Sequence, residues 1–364
     1  MFHIARSLHA AGKLEKIVSG YPQNRLAKEG LPKSKNSSYP LYQVPLFALV
    51  RSQLGNSRVA KYVDKRNLNY LDHKTKVIIG NSNLIAMSSL GLETAHLVKL
   101  RGNVFVVNRW SHHIIAQQQI LEEQAANWGW QEPMPSKASI ERELEEYQLA
   151  DKIIVPSRAS YLSFQHKDID MSKVVVNPFP LPGLQVLESN THKKDFLFVG
   201  NVTLQKGFPT LIKAFNSLNL KGVKLHVAGI YLQSFIDFLR KQELSFQNIV
   251  MHGHLSSGQL SKLYARCDVF ILPSVHDGWG MVVNEAMALG CIPIVSSSAG
   301  ASDQITNGLN GFTFEAGDAV GLAECMVASL GNEDLRARMI ASFQSSAFYK
   351  RDWDDFCRVY LDEL

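Results

Sequence analysis

The feature that most constrains this chain is an alternation of two periods. From Asp195 onward, the short apolar runs DFLFVG, VKLHVAG, NIVMHG, DVFILPS, CIPIVSS and GFTF take turns with stretches of helical spacing, such as Phe208 to Leu218 and Ser257 to Arg266. A run that is apolar at every position has no face to offer water, so it reads as a parallel strand buried on both sides, with the intervening helices as its crossovers. Six such strands fit a doubly wound parallel α/β sheet. No internal repeat or low-complexity tract interrupts it.

The first half follows the same grammar less regularly. It opens on a helix whose apolar stripe is Phe2, Ile4, Ala5, Leu8 and Ala11, stopped by Gly12 in the C′ position. KVIIG, NVFVVN and DKIIVPS are the expected strands, separated by helical stretches such as IERELEEYQLA. The segment NPFPLPGLQVLESNTHKKD has no period and opens on four prolines or glycines in seven residues, so it reads as a linker. The expected organisation is a first domain over 1–177, a linker over 178–194, a second domain over 195–345 and a closing helix over 346–364.

Composition narrows the class. With 364 residues, 46% hydrophobic and 20% charged, the chain can bury the cores of about two domains and is not a disordered tail. The apolar stretch around Leu41 to Val50 carries Gln43 and Pro45 and falls short of the roughly 20 residues a membrane span requires. The N-terminus lacks the pattern of a secretory signal, so a cytoplasmic location is expected. Cys267, Cys291, Cys325 and Cys357 show no metal-ligand spacing and read as buried thiols. A net charge of +5 does not by itself point to nucleic acid, but twelve Lys/Arg against three acids fall in the first 70 residues. Such a half reads either as a solvated basic face or as one drawn to an anionic acceptor or membrane surface.

Two loops can carry chemistry. In PSVHDGWGMVVNEAMALG, residues 273–290, a strand ends, Asp277, Gly278 and Gly280 form a loop, and a helix runs from about Met281 to Gly290. Ligands sit at the carboxyl ends of strands in such sheets, where backbone N–H groups near Gly280, Met281 and Val282 can hold a phosphate. Glu285 lies more than a turn inside the helix, so it and Asp277 can face one cleft at two depths. The second loop, FVGNVTLQKGFPTL, leaves its strand at Gly200 and Asn201 and sets Lys206 before Gly207 at a helix start, where a cation can neutralise a diphosphate. Taken singly, these features also fit an N-cap, a turn and solvated surface residues.

Together they resemble the nucleotide-sugar-binding domain of the GT-B glycosyltransferases of family 4, with its Lys-Gly after the first strand and its two acids separated by seven intervening residues, the second opening a Glu-Ala-Met-Ala-x-Gly frame. AGASDQITNGLNGF and RDWDDFCRVYLDEL are similar to the family's loop before the last strand and to its C-terminal helix, which crosses back onto the first domain. NRWSHHIIAQQQILEEQAANWG resembles a first-domain segment of the family and puts Arg109, Ser111 and His113 at matching positions on the acceptor side. The resemblance implies two Rossmann-like doubly wound domains facing a cleft. It also implies transfer of a sugar from a nucleotide diphosphate sugar, UDP- or GDP-linked, to a glycan, lipid-linked or small acceptor, with retention and no metal or other cofactor.

In that reading Lys206, Gly200, Asn201, Gly207, Gly278, Gly280, Met281 and Val282 bind the donor. Glu285 takes the ribose, while Asp277, His113 and Lys206 are the catalytic set. Three departures from the family pattern are visible: Asn201 stands where it has an arginine, Asp277 where it has a glutamate, and the chain opens on a helix where the family opens on a strand. They define the alternative, a GT-B subunit that binds a nucleotide or partner without catalysis. A Rossmann dehydrogenase is disfavoured, since no strand leads into a G-x-G-x-x-G turn.

Overall fold

The computed structural model describes residues 1–51, 58–165, 168–180 and 193–363. Its strands are β1 (Ile17–Ser19), β2 (Asn36–Ser38), β3 (Leu84–Met87), β4 (Phe105–Asn108), β5 (Lys152–Val155), β6 (Val174–Val176), β7 (Lys193–Val199), β8 (Leu225–Ala228), β9 (Ile249–Gly253), β10 (Cys267–Leu272), β11 (Ile292–Ser296) and β12 (Phe312–Phe314). β1 and β2 form a small parallel pair. The rest form two larger sheets, ordered β3-β4-β5-β6 and β12-β11-β10-β7-β8-β9, with every pairing parallel.

The second sheet has the expected six strands. Its order steps one way from β7 to β9 and the other way from β10 to β12, so the change of direction falls between β7 and β10. At that point neighbouring crossover helices part to opposite faces and leave a crevice beyond the strand ends. The two loops read from sequence as donor-binding both leave from it.

In the first sheet the described strands follow chain order without reversal. Right-handed crossovers that all step one way put their helices on one face, where Ala95, Val98, Ile114 and Tyr147 pack on Leu84, Ala86, Phe105, Val107, Ile153 and Val155. The alternate residues Ile85, Val106, Ile154 and Val175 turn to the other face. The chain's two ends cover it: Ile4, Ala5 and Leu8 of helix Phe2–Ala10, and Phe356, Cys357 and Tyr360 of helix Trp353–Asp362. Hydrogen bonds pin the second of these, Tyr360 Oη donating to Asn108 Oδ1 (2.5 Å) and Asn177 Nδ2 to the Phe356 carbonyl (3.0 Å).

One strand expectation fails. KVIIG is not a strand: its lysine, valine and first isoleucine end the 21-residue helix Arg58–Ile78, with Val77 67% exposed. The strand lies further on, at Leu84–Met87. Periodicity within five apolar residues cannot separate a helix end from a strand, and here the long polar stretch preceding it decided for helix. The linker expected over 178–194 lies largely outside the described residues. Among the described residues no helix is long and apolar enough to cross a membrane.

Candidate active site

The loop after β7 and the loop after β10 are pressed together. Gly207, in the left-handed region at φ 64°, has no room for a side chain: a Cβ there would lie 1.7 Å from the Pro273 carbonyl oxygen. Any other residue would push the loops apart. The Val275 N–H donates to the Gln205 carbonyl at 2.9 Å, adding a main-chain tie. Across this contact Lys206 Nζ meets Asp277 Oδ2 at 2.5 Å, both side chains largely shielded from water. The structure thus brings Lys206 and Asp277 into direct contact, from loops 71 residues apart in sequence. Asp277, though one methylene shorter than glutamate, reaches the lysine.

The β10 loop runs through Gly280 into helix Met281–Ala288. Glu285 is half-buried there, and Tyr264 Oη donates to its Oε2 at 3.2 Å and lies 3.3 Å from the Val282 carbonyl oxygen. Burial raises the Glu285 carboxyl above its usual range, the tyrosine bond acting against that rise. At the β7 exit, the Gly200 N–H donates to the Ala228 carbonyl at 2.9 Å, which leaves Asn201 exposed at the start of the loop.

The first domain meets this centre through the loop after β4. Gly278 accepts it closely, since a Cβ there would sit 2.1 Å from the Trp110 carbonyl oxygen and 3.0 Å from Ser111 Cα. Arg109, expected on the acceptor side, is turned into the first domain. It is buried, pairs with Glu143 at 3.1 Å and donates from Nε to the His112 carbonyl at 2.7 Å, so it shapes the loop from inside.

His113 requires a correction. It is 1% exposed, its Nδ1 accepts the Ile115 N–H at 3.2 Å as N-cap of helix Ile114–Trp128, and its ring packs on Tyr147 and Phe164. A cap ring packed against two aromatics is part of the first domain's core, and that packing gives His113 a structural role in place of the outward-facing one expected of it. Its neighbour His112 faces the second domain instead, with its ring centroid 5.3 Å from that of His276. Burial lowers His112 to about 4 against the pull of Asp277, and lowers His276 to about 3, with His112, Lys206 and Arg109 adding to the effect. Both imidazoles are neutral near pH 7, and His112 Nδ1 and both His276 nitrogens are buried without a protein hydrogen-bond partner. The sequence carries a signal for each, since both stand in loops at the carboxyl ends of strands, but nothing in it says which of two adjacent histidines turns outward.

Residues 184–345 match the family model described as glycosyl transferases group 1. An uncharacterised glycosyltransferase of Methanocaldococcus jannaschii is 30% identical over 168 residues, 46% of this chain and 43% of that protein. The capsular polysaccharide biosynthesis glycosyltransferase CapM of Staphylococcus aureus is 33% identical over 147 residues, 38% of this chain and 37% of that protein. The chain therefore matches less than half the length of these curated relatives. Among solved structures, Anabaena HepE in complex with UDP and glucose superposes with a TM-score of 0.62 at 16% identity over 80% of each chain. A Rickettsia africae glycosyltransferase superposes with a TM-score of 0.63 at 17% identity, over 99% of this chain and 92% of that one. The fold is that of the GT-B glycosyltransferases.

Proposed function

We infer that this chain, whose residues 184–345 belong to the glycosyl transferases group 1, moves a sugar from a nucleotide diphosphate sugar to a glycan, lipid-linked or small-molecule acceptor. The observation that carries the reading is the Lys206–Asp277 contact, a cation and a carboxylate delivered to one point by the two strands that flank the switch in strand order. In the structure each satisfies the other. A donor diphosphate would take Lys206 as its counter-ion, and the freed Asp277 carboxylate would accept hydroxyls of the transferred sugar.

Charge developing on the departing diphosphate would meet Lys206 and the N–H groups near Gly280, Met281 and Val282, all oriented before reaction. With Asn201 in place of an arginine, Lys206 carries more of that charge. Glu285, steadied by Tyr264, would hold the ribose. Retention at the anomeric carbon, without metal or other cofactor, belongs to the same reading, as does an anionic inner membrane surface as the place of work. The UDP- and glucose-bound state of HepE supports a nucleotide-sugar donor here. Titration with UDP and GDP tests it: saturable binding of one is expected, and the affinity ratio names the base. Binding of neither would favour a non-catalytic subunit.

A further inference from the structure

The connection between the first domain's helices Ile114–Trp128 and Lys137–Leu149 does not stay on the first domain. Gly129, left-handed at φ 66°, ends the first helix, and Pro133 and Pro135 keep the chain extended until Ser136 caps the next. Within it Trp130 lies 5.0 Å, centroid to centroid, from both Phe235 and Phe238 of the second domain, and Lys213 Nζ stands 4.3 Å over the ring of Trp128. These aromatic and cation–π contacts join two domains over a short segment. A cavity of about 440 Å³ lined by Ala125 and residues 129–134 leaves that segment unpacked on one side.

Glu132 sits between these anchors and the loop that carries Lys206. Its carboxylate accepts from the Gln205 N–H at 3.5 Å, and the Leu204 N–H and Thr203 hydroxyl also turn to it. Thr203 Oγ1 in turn accepts the Lys206 N–H at 3.2 Å. An anion held by successive main-chain N–H groups and a hydroxyl is held as a phosphate oxygen pair would be, here in the loop that leads straight into Lys206, whose ammonium pairs with Asp277.

We propose that residues 128–134 form a latch between the domains, in which Glu132 holds the 203–205 loop in the place a donor phosphate takes, so that donor and latch compete. The proposal rests on the nucleotide-sugar reading above. It deepens that reading by coupling donor entry to release of one interdomain contact: phosphate displaces the carboxylate, while the contacts on the other side, among them the Trp110 carbonyl against Gly278 and the Arg158 N–H donating to Asp303 at 2.7 Å, stay in place.

Calorimetric titration of the full chain with inorganic pyrophosphate, UDP and uridine tests the competition. Glu132→Ala is expected to tighten pyrophosphate and UDP about tenfold, the scale of one charge-assisted hydrogen bond, and to leave uridine unchanged. Glu132→Gln, which preserves size, and Trp130→Ala, which loosens the anchor, should act in the same direction to a smaller extent. UDP bound equally by the wild type and all three variants, or more weakly by the variants, overturns the latch and leaves the transferase reading standing. Failure of every form to bind UDP, GDP or pyrophosphate overturns the transferase reading, and the competition with it.

Discussion

The two large sheets are built from the same parallel βα unit and differ in how they are wound. In the second, reversal of direction between β7 and β10 creates a crevice, and the groups that converge there sit on two short loops fixed by glycines. In the first, β3 to β6 follow chain order, one face is left without crossover helices, and the chain's own ends close it. A sheet with a switch point supplies a site from its own loops. A sheet without one supplies a wall, and its contribution depends on which side chains its packing leaves turned outward.

The strongest way to break that contrast is to remove the cover from the first sheet. Phe356 is 1% exposed, stacked on Phe179 and set in the core that the terminal helices share with Val106 and Ile154. Phe356→Ala is expected to cost about 3–5 kcal/mol. Scanning calorimetry should show the loss in a first-domain transition, with the second domain's transition unmoved. A uniform shift of a single transition would mean that the two domains are one cooperative unit and that the comparison between them is too sharp.

Next in size is the crevice itself. Lys206→Ala should weaken nucleoside diphosphate binding by about 1.5–3 kcal/mol and barely alter nucleoside binding. Equal losses for both ligands would remove Lys206 from the diphosphate and leave it as the structural partner of Asp277.

That asymmetry also explains what the sequence made legible. The second domain could be read closely, down to helix Phe208–Leu218 and the turn into Met281, because buried strands, glycine loops and amphipathic helices each leave a local signature there. In the first domain the decisive facts are long-range. Whether KVIIG ends a helix or forms a strand depends on what precedes and follows it, and β6 is three residues long. Whether His112 or His113 faces the cleft depends on Tyr147 and Phe164, more than thirty residues away, closing over the latter. Glu132 carried no motif at all, since its partners, the Gln205 and Leu204 N–H groups and the Thr203 hydroxyl, belong to another domain.

The histidine pair gives a smaller and sharper test. His113→Ala removes an N-cap and should lower stability by about 1 kcal/mol without changing donor KM, since the ring packs on Tyr147 and Phe164 in the first domain's core. His112→Gln, close in size to the buried ring it replaces, should leave stability nearly intact and lower kcat/KM by up to about tenfold, the worth of one neutral hydrogen bond to a sugar hydroxyl. Interchanged outcomes, stability lost at His112 and turnover at His113, would restore the residue that sequence resemblance favoured.

The smallest expected effect concerns the basic first domain and what it rests on. Helix Arg58–Ile78 presents Val59 and Tyr62 to solvent at 60% and 58% exposure, with Lys65 and Arg66 exposed beside them and Arg66 Nε donating to Tyr62 Oη at 3.0 Å. The side chains of Arg51, Arg58 and Lys61, which belong to the same basic stretch, lie outside the described residues. An exposed apolar pair flanked by cations suits a surface that is anionic outside and apolar just beneath, which is the face of a lipid leaflet. At about 1 kcal/mol per engaged basic residue, replacing Lys61, Lys65 and Arg66 with Gln should reduce sedimentation with anionic vesicles by a factor that shrinks as salt rises and the charges are screened. Neutral vesicles should not bind either form. Sedimentation of the wild type that is absent, or insensitive to both salt and substitution, would reduce this helix to a solvated face and point the first domain toward a soluble acceptor.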